Sequence, residues 1–158
     1  MSRLRVGLSS ANRSGSFMNA LNTVTETVPV ACCDPNTERL NAFCERWGLK
    51  GYTDFDQMLD GEKLDLVIVA SPMQFHAPQC IAAMKAGAHV MSEVPATVSL
   101  DECWNLLATV KETGKKYMMA ENYCYMRHVV LVKAMAEAGL FGEMYYAEGA
   151  YIHDVRAL

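Results

Sequence analysis

Residues 64–95 read LDLVIVASPMQFHAPQCIAAMKAGAHVMSEVP, and this stretch decides the fold. Leu66, Val67, Ile68, Val69 and Ala70 form a short, largely β-branched apolar run that stops at Ser71-Pro72. Pro72 has no N–H and keeps Ser71 out of helical geometry, so the chain turns where the strand ends. A helical pattern follows over residues 76–86, with Pro78 in its first turn, Ile81 and Met84 on its inner face, and Gly87 as its stop. Residues 88–92 make a second strand, closed by Glu93-Val94-Pro95, where an X-Pro bond is a natural place for a cis peptide. This order predicts two parallel strands joined by a right-handed crossover. Both loops then lie at the carboxyl edge of the sheet, where open α/β folds bind ligands.

The same alternation runs through the rest of the chain. Leu4 to Leu8 reads as a strand, residues 9–15 as a loop, and residues 16–26 as a helix with Phe17, Leu21 and Val24 at helical spacing. Residues 28–33 form the next strand and end at Asp34. Leu40, Phe43, Cys44 and Trp47 mark a second helix, closed by Gly48. Residues 50–53 are a short strand, and residues 54–59 a short helix broken by Gly61. Ser99-Leu100-Asp101-Glu102 is a capping box, opening a helix that carries Cys103, Trp104, Leu107 and Val110. Residues 116–120 are a sixth strand, Asn122 follows its end, and residues 127–138 are a last helix. The expected fold is therefore α/β: a Rossmann-like, doubly wound parallel sheet.

The loop after the first strand is a partial dinucleotide fingerprint. Set against GxGxxG, its glycine places hold Ser10, Asn12 and Gly15. Asn12 tolerates left-handed backbone better than most residues, and Ser10 is small. Backbone N–H groups at the helix start, with Arg13 and the Ser14 hydroxyl, can cradle a phosphate. The alternative is a plain strand-to-helix turn. Asp34 also has two readings: a carboxylate for the hydroxyls of an adenosine ribose, which favours NAD over NADP, or a cap for the next helix ahead of Pro35. His76 likewise reads either as a site residue or as an ordinary polar residue at a helix start.

Composition narrows the classes. The chain has 158 residues, 51% hydrophobic and 20% charged, which suits a globular domain with a real core. A formal charge of −4 offers no basic surface, so nucleic acid is not an expected partner. No apolar run has the length of a membrane span, and the N-terminal residues show no signal-peptide core, so a cytoplasmic protein is expected. The six cysteines include no CxxC pair; buried, reduced thiols are expected, and no metal site.

Together these motifs resemble the glucose–fructose oxidoreductase / inositol dehydrogenase (Gfo/Idh/MocA) family. The carriers are Asp34, the strand end from Asp65 to Pro72, His76, Ala86-Gly87-Ala88-His89-Val90, and Glu93-Val94-Pro95. Family members read close to D-x-V-x-V-x-[ST]-P-x-x-x-H and A-G-K-H-V-x-x-E-K-P. The resemblance implies an N-terminal domain binding NAD or NADP, and a C-terminal α/β domain that carries much of the substrate site. It implies cofactor contacts from Ser10, Asn12, Arg13, Asp34, Ser71, Pro72, His76, Glu93, Val94, Pro95 and Asn122, with the bond before Pro95 cis. It also implies oxidation or reduction of a sugar- or cyclitol-like alcohol. The family's lysine in E-K-P is Val94 here, which neither donates nor accepts a proton. That departure keeps two alternatives open: an NAD-dependent glycosidase, and a non-catalytic scaffold that binds cofactor weakly.

Residues 1–141 are expected to form the dinucleotide domain, and residues 142–158 the beginning of a truncated C-terminal domain. Within the latter, residues 143–153 are strand-like and aromatic, and an unpaired strand of this kind is expected to pair with a second copy or to stay disordered. His153 and Asp154 are not expected to replace the family's later catalytic residues. The chain alone is expected to bind nucleotide without turnover.

Overall fold

The computed structural model describes residues 2–152 together with Asp154 and Arg156. Six strands form one sheet: β1 (Leu4–Ser9), β2 (Thr27–Cys33), β3 (Lys50–Tyr52), β4 (Leu66–Val69), β5 (His89–Ser92) and β6 (Tyr117–Met119). Their order is β3-β2-β1-β4-β5-β6, and every pairing is parallel. The Rossmann-like doubly wound sheet read from the sequence is the observed fold. The winding reverses between β1 and β4, which opens a crevice at their carboxyl ends.

Helices α1 (Gly15–Thr23) and α2 (Thr37–Trp47) cover one face of the sheet, while α3 (Phe55–Gly61), α4 (His76–Lys85) and α5 (Leu100–Thr113) cover the other. Strand alternation divides the core between these faces. Val6, Leu8, Cys32 and Ile68 pack with Met18, Leu21, Leu40 and Phe43 of α1 and α2. Val67, Val69 and Val90 pack with Cys80, Ala83 and Met84 of α4 and Leu106 of α5. Gly7 lets Leu64 lie close against β1: a Cβ there would stand 2.6 Å from Leu64 Cδ1, and that side chain would have to shift.

Helix ends follow local chemistry, with some departures from expectation. The α2 cap is Asn36, whose side chain accepts from the Arg39 N–H; Asp34 is not the cap. Gly48 closes α2 in left-handed geometry at φ 69°. Ser99 caps α5 by accepting from Glu102 N–H, while the Glu102 carboxylate takes the Val98 N–H, one residue before the cap. Helix α1 stops at Thr23 because Val24 turns extended; Met18 and Leu21 are its buried residues, and Val24 is exposed. On α5 the buried residues are Leu106 and Thr109, whereas Trp104 is 68% exposed and Cys103 also faces solvent. Of the four residues the sequence pattern placed on α5, Val110 packs partly buried against the core, while Cys103, Trp104 and Leu107 are exposed.

The chain divides into two compact units, one ending at Glu121 and one beginning at Asn122. The second unit contains a 3₁₀ turn (Tyr123–Tyr125) and α6 (Arg127–Glu137), with no fully buried residue in α6. Its Tyr123 and Tyr151 rings meet edge to face at 4.6 Å. The strand expected over residues 143–153 is absent among the described residues, which are exposed and form no ladder; a strand needs a partner for its N–H and C=O groups. His153 lies outside the described residues. Among the described residues, no helix is long and apolar enough to cross a membrane.

Candidate dinucleotide site

The crevice at the carboxyl edge is a cleft of about 740 Å³, within the range of ligand sites. It runs from the end of β3 (Thr53, Asp54) past β2 (Asp34), β1 (Ser9, Ser10) and β4 (Ser71, Pro72) to the loop after β5 (Glu93, Val94, Pro95). Ten of the expected residues line it: Ser10, Asn12, Arg13, Asp34, Ser71, Pro72, His76, Glu93, Val94 and Pro95. The topology explains the convergence, since parallel strands deliver all their C-terminal loops to one edge. Asn122 is not among the lining residues; it opens the second unit.

The loop after β1 compensates for its missing glycines. Ser10 takes φ 78°, the left-handed region that glycine usually fills, and is the single non-glycine residue to do so among the described residues. The Ser10 N–H donates to Cys33 O at 2.7 Å, and its carbonyl accepts from Ser14 N–H at 3.2 Å. Asp34 completes the anchor. Its Oδ2 accepts from the Ala11 N–H and its Oδ1 from the Asn36 N–H, both at 2.9 Å. The carboxylate is 3% exposed, yet each oxygen keeps a lone pair beyond its single N–H contact. Asp34 thus shapes the loop and retains acceptor capacity toward the cleft. The Ser14 hydroxyl, by contrast, is fully buried and donates to Ser9 O at 3.3 Å, so it is not a donor toward the cleft.

Two further contacts tie the cleft walls together. Arg13 Nε donates to Glu93 Oε1 at 2.6 Å, joining the loop after β1 to the end of β5. The other Glu93 oxygen accepts from the Val94 N–H at 3.3 Å. Ser9 and Ser71 both donate to Gln79 Oε1, at 2.6 and 2.7 Å, so one α4 amide bridges the two strands flanking the winding reversal. His76 is 2% exposed, with its ring nitrogens each 2.7 Å from a main-chain carbonyl oxygen, of Pro95 and of Ser71. The Val94-Pro95 bond is cis, as expected. Val94 is 42% exposed at the cleft.

Several lining residues had no motif to reveal them. Gln79 stands three residues past His76 on the same helix face, and Arg39 approaches Asp34 Oδ2 at 3.7 Å from α2. Met73 and Phe75, exposed in the 3₁₀ turn after β4 (Met73–Phe75), supply apolar surface. Cys33 also lines the cleft, but burial, followed by Asp54 and Asp34, pushes its thiol up to about 12, leaving a protonated, unreactive group at neutral pH. The described residues hold no cluster of three or more side chains suited to a metal ion.

A parallel sheet wound 3-2-1-4-5-6, with an acid ending β2 and the cleft at its reversal, defines a dinucleotide-binding Rossmann domain. The family model described as "Oxidoreductase family, NAD-binding Rossmann fold" matches residues 5–121. The chain belongs to this Gfo/Idh/MocA oxidoreductase family. It is 34% identical over 167 residues to a glycosyl hydrolase family 109 protein of Shewanella amazonensis, covering 99% of this chain and 37% of that protein. It is 43% identical over 107 residues to an alpha-N-acetylgalactosaminidase of Tannerella forsythia, covering 67% of this chain and 23% of that protein. The chain therefore spans less than half the length of these curated relatives. Among solved structures, the WlbA dehydrogenase of Bordetella pertussis in complex with NADH and UDP-GlcNAcA superposes with a TM-score of 0.86 at 26% identity, covering 91% of this chain and 42% of that one.

Proposed function

We propose that this chain is the cofactor-holding part of an NAD-dependent enzyme acting on sugars, and that the reaction is glycoside cleavage in which the cofactor is oxidant and reductant in turn. The observation that carries the cofactor assignment is Asp34, anchored by two N–H groups yet with acceptor capacity left at the cleft. Its lone pairs would take the adenosine ribose hydroxyls, which favours NAD. Ser10, Asn12 and Arg13 would hold the diphosphate with backbone N–H groups and the guanidinium. Ser71, Pro72, Val94 and Pro95 would form the nicotinamide wall, and Asn122 is assigned to this end by family resemblance. Glu93 and His76 would act on the wall rather than on the cofactor, since their polar atoms are engaged with Arg13, Val94 N–H, Ser71 O and Pro95 O.

A bound nicotinamide supplies hydride acceptance and return at a sugar carbon. Val94 places an apolar, proton-inert surface where a lysine would relay protons, so acid–base groups must come from elsewhere in the full-length protein. The names of the curated relatives favour glycoside cleavage. The second reading, a dehydrogenase of a sugar- or cyclitol-like alcohol, is favoured by the solved neighbours. We assign residues 142–158 to the lead into a further domain.

The test has two stages. Calorimetric titration of the chain with NADH and NADPH should give saturable heat; none at millimolar cofactor would favour a non-catalytic scaffold. The full-length protein is then given an aryl α-N-acetylgalactosaminide. Aryl release without net NADH supports the glycosidase, whereas NADH accumulation on free sugars or cyclitols supports the dehydrogenase.

A further inference from the structure

We propose that Gln79 is a cofactor-binding residue whose side-chain NH₂ donates to the diphosphate of the dinucleotide. The orientation of its amide is fixed by two neighbours. The hydroxyls of Ser9 and Ser71 donate to Gln79 Oε1 at 2.6 and 2.7 Å. These lengths suit O–H···O bonds and are short for N–H···O, so the amide oxygen, not the nitrogen, faces the two serines. An amide oxygen has two lone pairs, and both are taken. The NH₂ is therefore turned away from the serines with two protons to give. Among the described residues, no buried side-chain nitrogen or oxygen lacks a partner, and no protein acceptor stands on Gln79 Nε2. That nitrogen is open to solvent, and Gln79 lines the cleft.

Position selects the ligand. Ser9 ends β1 and is 2% exposed, and Ser10 begins the loop that leads into α1. In a doubly wound sheet a dinucleotide crosses the winding reversal here, with its diphosphate against the start of the first helix. The strands flanking that reversal, β1 and β4, hold the Gln79 amide beside this path through Ser9 and Ser71. The loop after β1 is short of donors for the diphosphate. Ser10 and Asn12 occupy two glycine places, where side chains keep the backbone from its closest approach. The Ser14 hydroxyl is turned to Ser9 O, and Arg13 commits its Nε to Glu93. Phosphate oxygens accept, and an N–H bond to an anion is stronger than one to a neutral oxygen. An amide already held by two hydroxyls also loses little freedom when the ligand arrives. This role rests on the dinucleotide reading and adds a donor that no fingerprint position supplies.

Calorimetry with NADH and ADP on wild type, Gln79→Glu and Gln79→Met tests this, with circular dichroism confirming that each variant is folded. ADP shares the adenosine and diphosphate of NADH but lacks its nicotinamide riboside. Glutamate keeps an oxygen for both serines and has no N–H to give; methionine is uncharged, of similar length, and offers neither. Both variants should weaken both ligands by about tenfold or more. A loss in Gln79→Met with Gln79→Glu unaffected would mean that the side chain only bridges β1 and β4, and would overturn the proposal. A loss in Gln79→Glu alone would be charge repulsion, and would overturn it as well. NADH weakened with ADP unchanged would place the contact beyond the diphosphate and refute the assignment. Wild-type binding that both variants retain would remove Gln79 while leaving the dinucleotide reading intact. If wild type binds neither ligand, the dinucleotide reading fails and takes this assignment with it.

Discussion

Replacing Asp34 should unseat the loop after β1 as well as weaken cofactor binding. In Asp34→Ala the Ala11 N–H loses its acceptor while 4% exposed, and an orphaned buried donor costs about 1–3 kcal/mol. The Asn36 N–H lies at an exposed residue and can turn to water, so its loss costs little. The Arg39 contact at 3.7 Å involves a side chain 48% exposed and adds less than about 1 kcal/mol. The expected destabilisation is therefore about 1–4 kcal/mol. Asp34→Asn should fall between Ala and wild type, because its amide oxygen accepts one N–H while its NH₂ confronts the other. Urea denaturation followed by circular dichroism measures this, with unchanged slope showing that the same transition is compared. Calorimetry under folded conditions should show NADH weakened roughly 100-fold or more in Asp34→Ala, as two lost hydrogen bonds to a carboxylate imply. Variants within about 0.5 kcal/mol of wild type would refute the anchor. Unchanged NADH affinity in a folded Asp34→Ala would refute the ribose assignment instead.

Arg39→Ala should weaken NADPH by about tenfold or more and leave NADH nearly unchanged, because a guanidinium beside the ribose acid is suited to a 2′-phosphate; equal losses by calorimetry would remove Arg39 from cofactor selection. Ser10→Gly should stabilise by about 0.5–1 kcal/mol, the relief of positive φ exceeding the added freedom of the unfolded chain; a clear fall in the urea midpoint would count against it. At pH 8, iodoacetamide should label Cys103 and Cys124 in the folded chain and reach Cys32, Cys33 and Cys80 only after unfolding, as mass mapping would show. The buried thiols also set an alkaline limit. Burial raises the Cys80 pKa from the ordinary 9.0 to about 12. Stability is therefore complete below pH 9 and falls by about 1.4 kcal/mol per pH unit as pH rises toward 12, and Cys80→Ala should flatten that slope in denaturation series. Residues 143–153 should drive self-association, visible by light scattering as a concentration-dependent mass that deleting them abolishes; a strict monomer would refute this.

Local pattern and chain topology determined much of this protein. Val67, Val69 and Val90 are β-branched and alternate toward a core, and Gly48, Gly87 and Gly114 stop helices, so the order of strands and helices is legible from near neighbours. Parallel crossovers are right-handed, so that order also brings Asp34, Ser71 and Glu93 to one edge. Cofactor-site candidates could be named because the loops that carry them follow strands.

What each candidate does there depended on contacts across the fold. Asp34 could read as a helix cap until Asn36 took that place and the Ala11 N–H, 23 residues away, claimed its carboxylate. Arg13 and Glu93 are 80 residues apart and meet only through the β1–β4–β5 arrangement. Gln79 carried no motif, since an amide on a helix becomes notable only when Ser9 and Ser71 converge on it. On α5 the periodicity marked apolar residues without saying what each meets: Val110 reaches the core, and Trp104 is left 68% exposed. The opening stretch shows the division most clearly. Its strands, turn and helix follow from Val67 to Val90 themselves. That His76 sits between the carbonyls of Ser71 and Pro95 was settled only when β4 and β5 paired and set their loops one histidine ring apart.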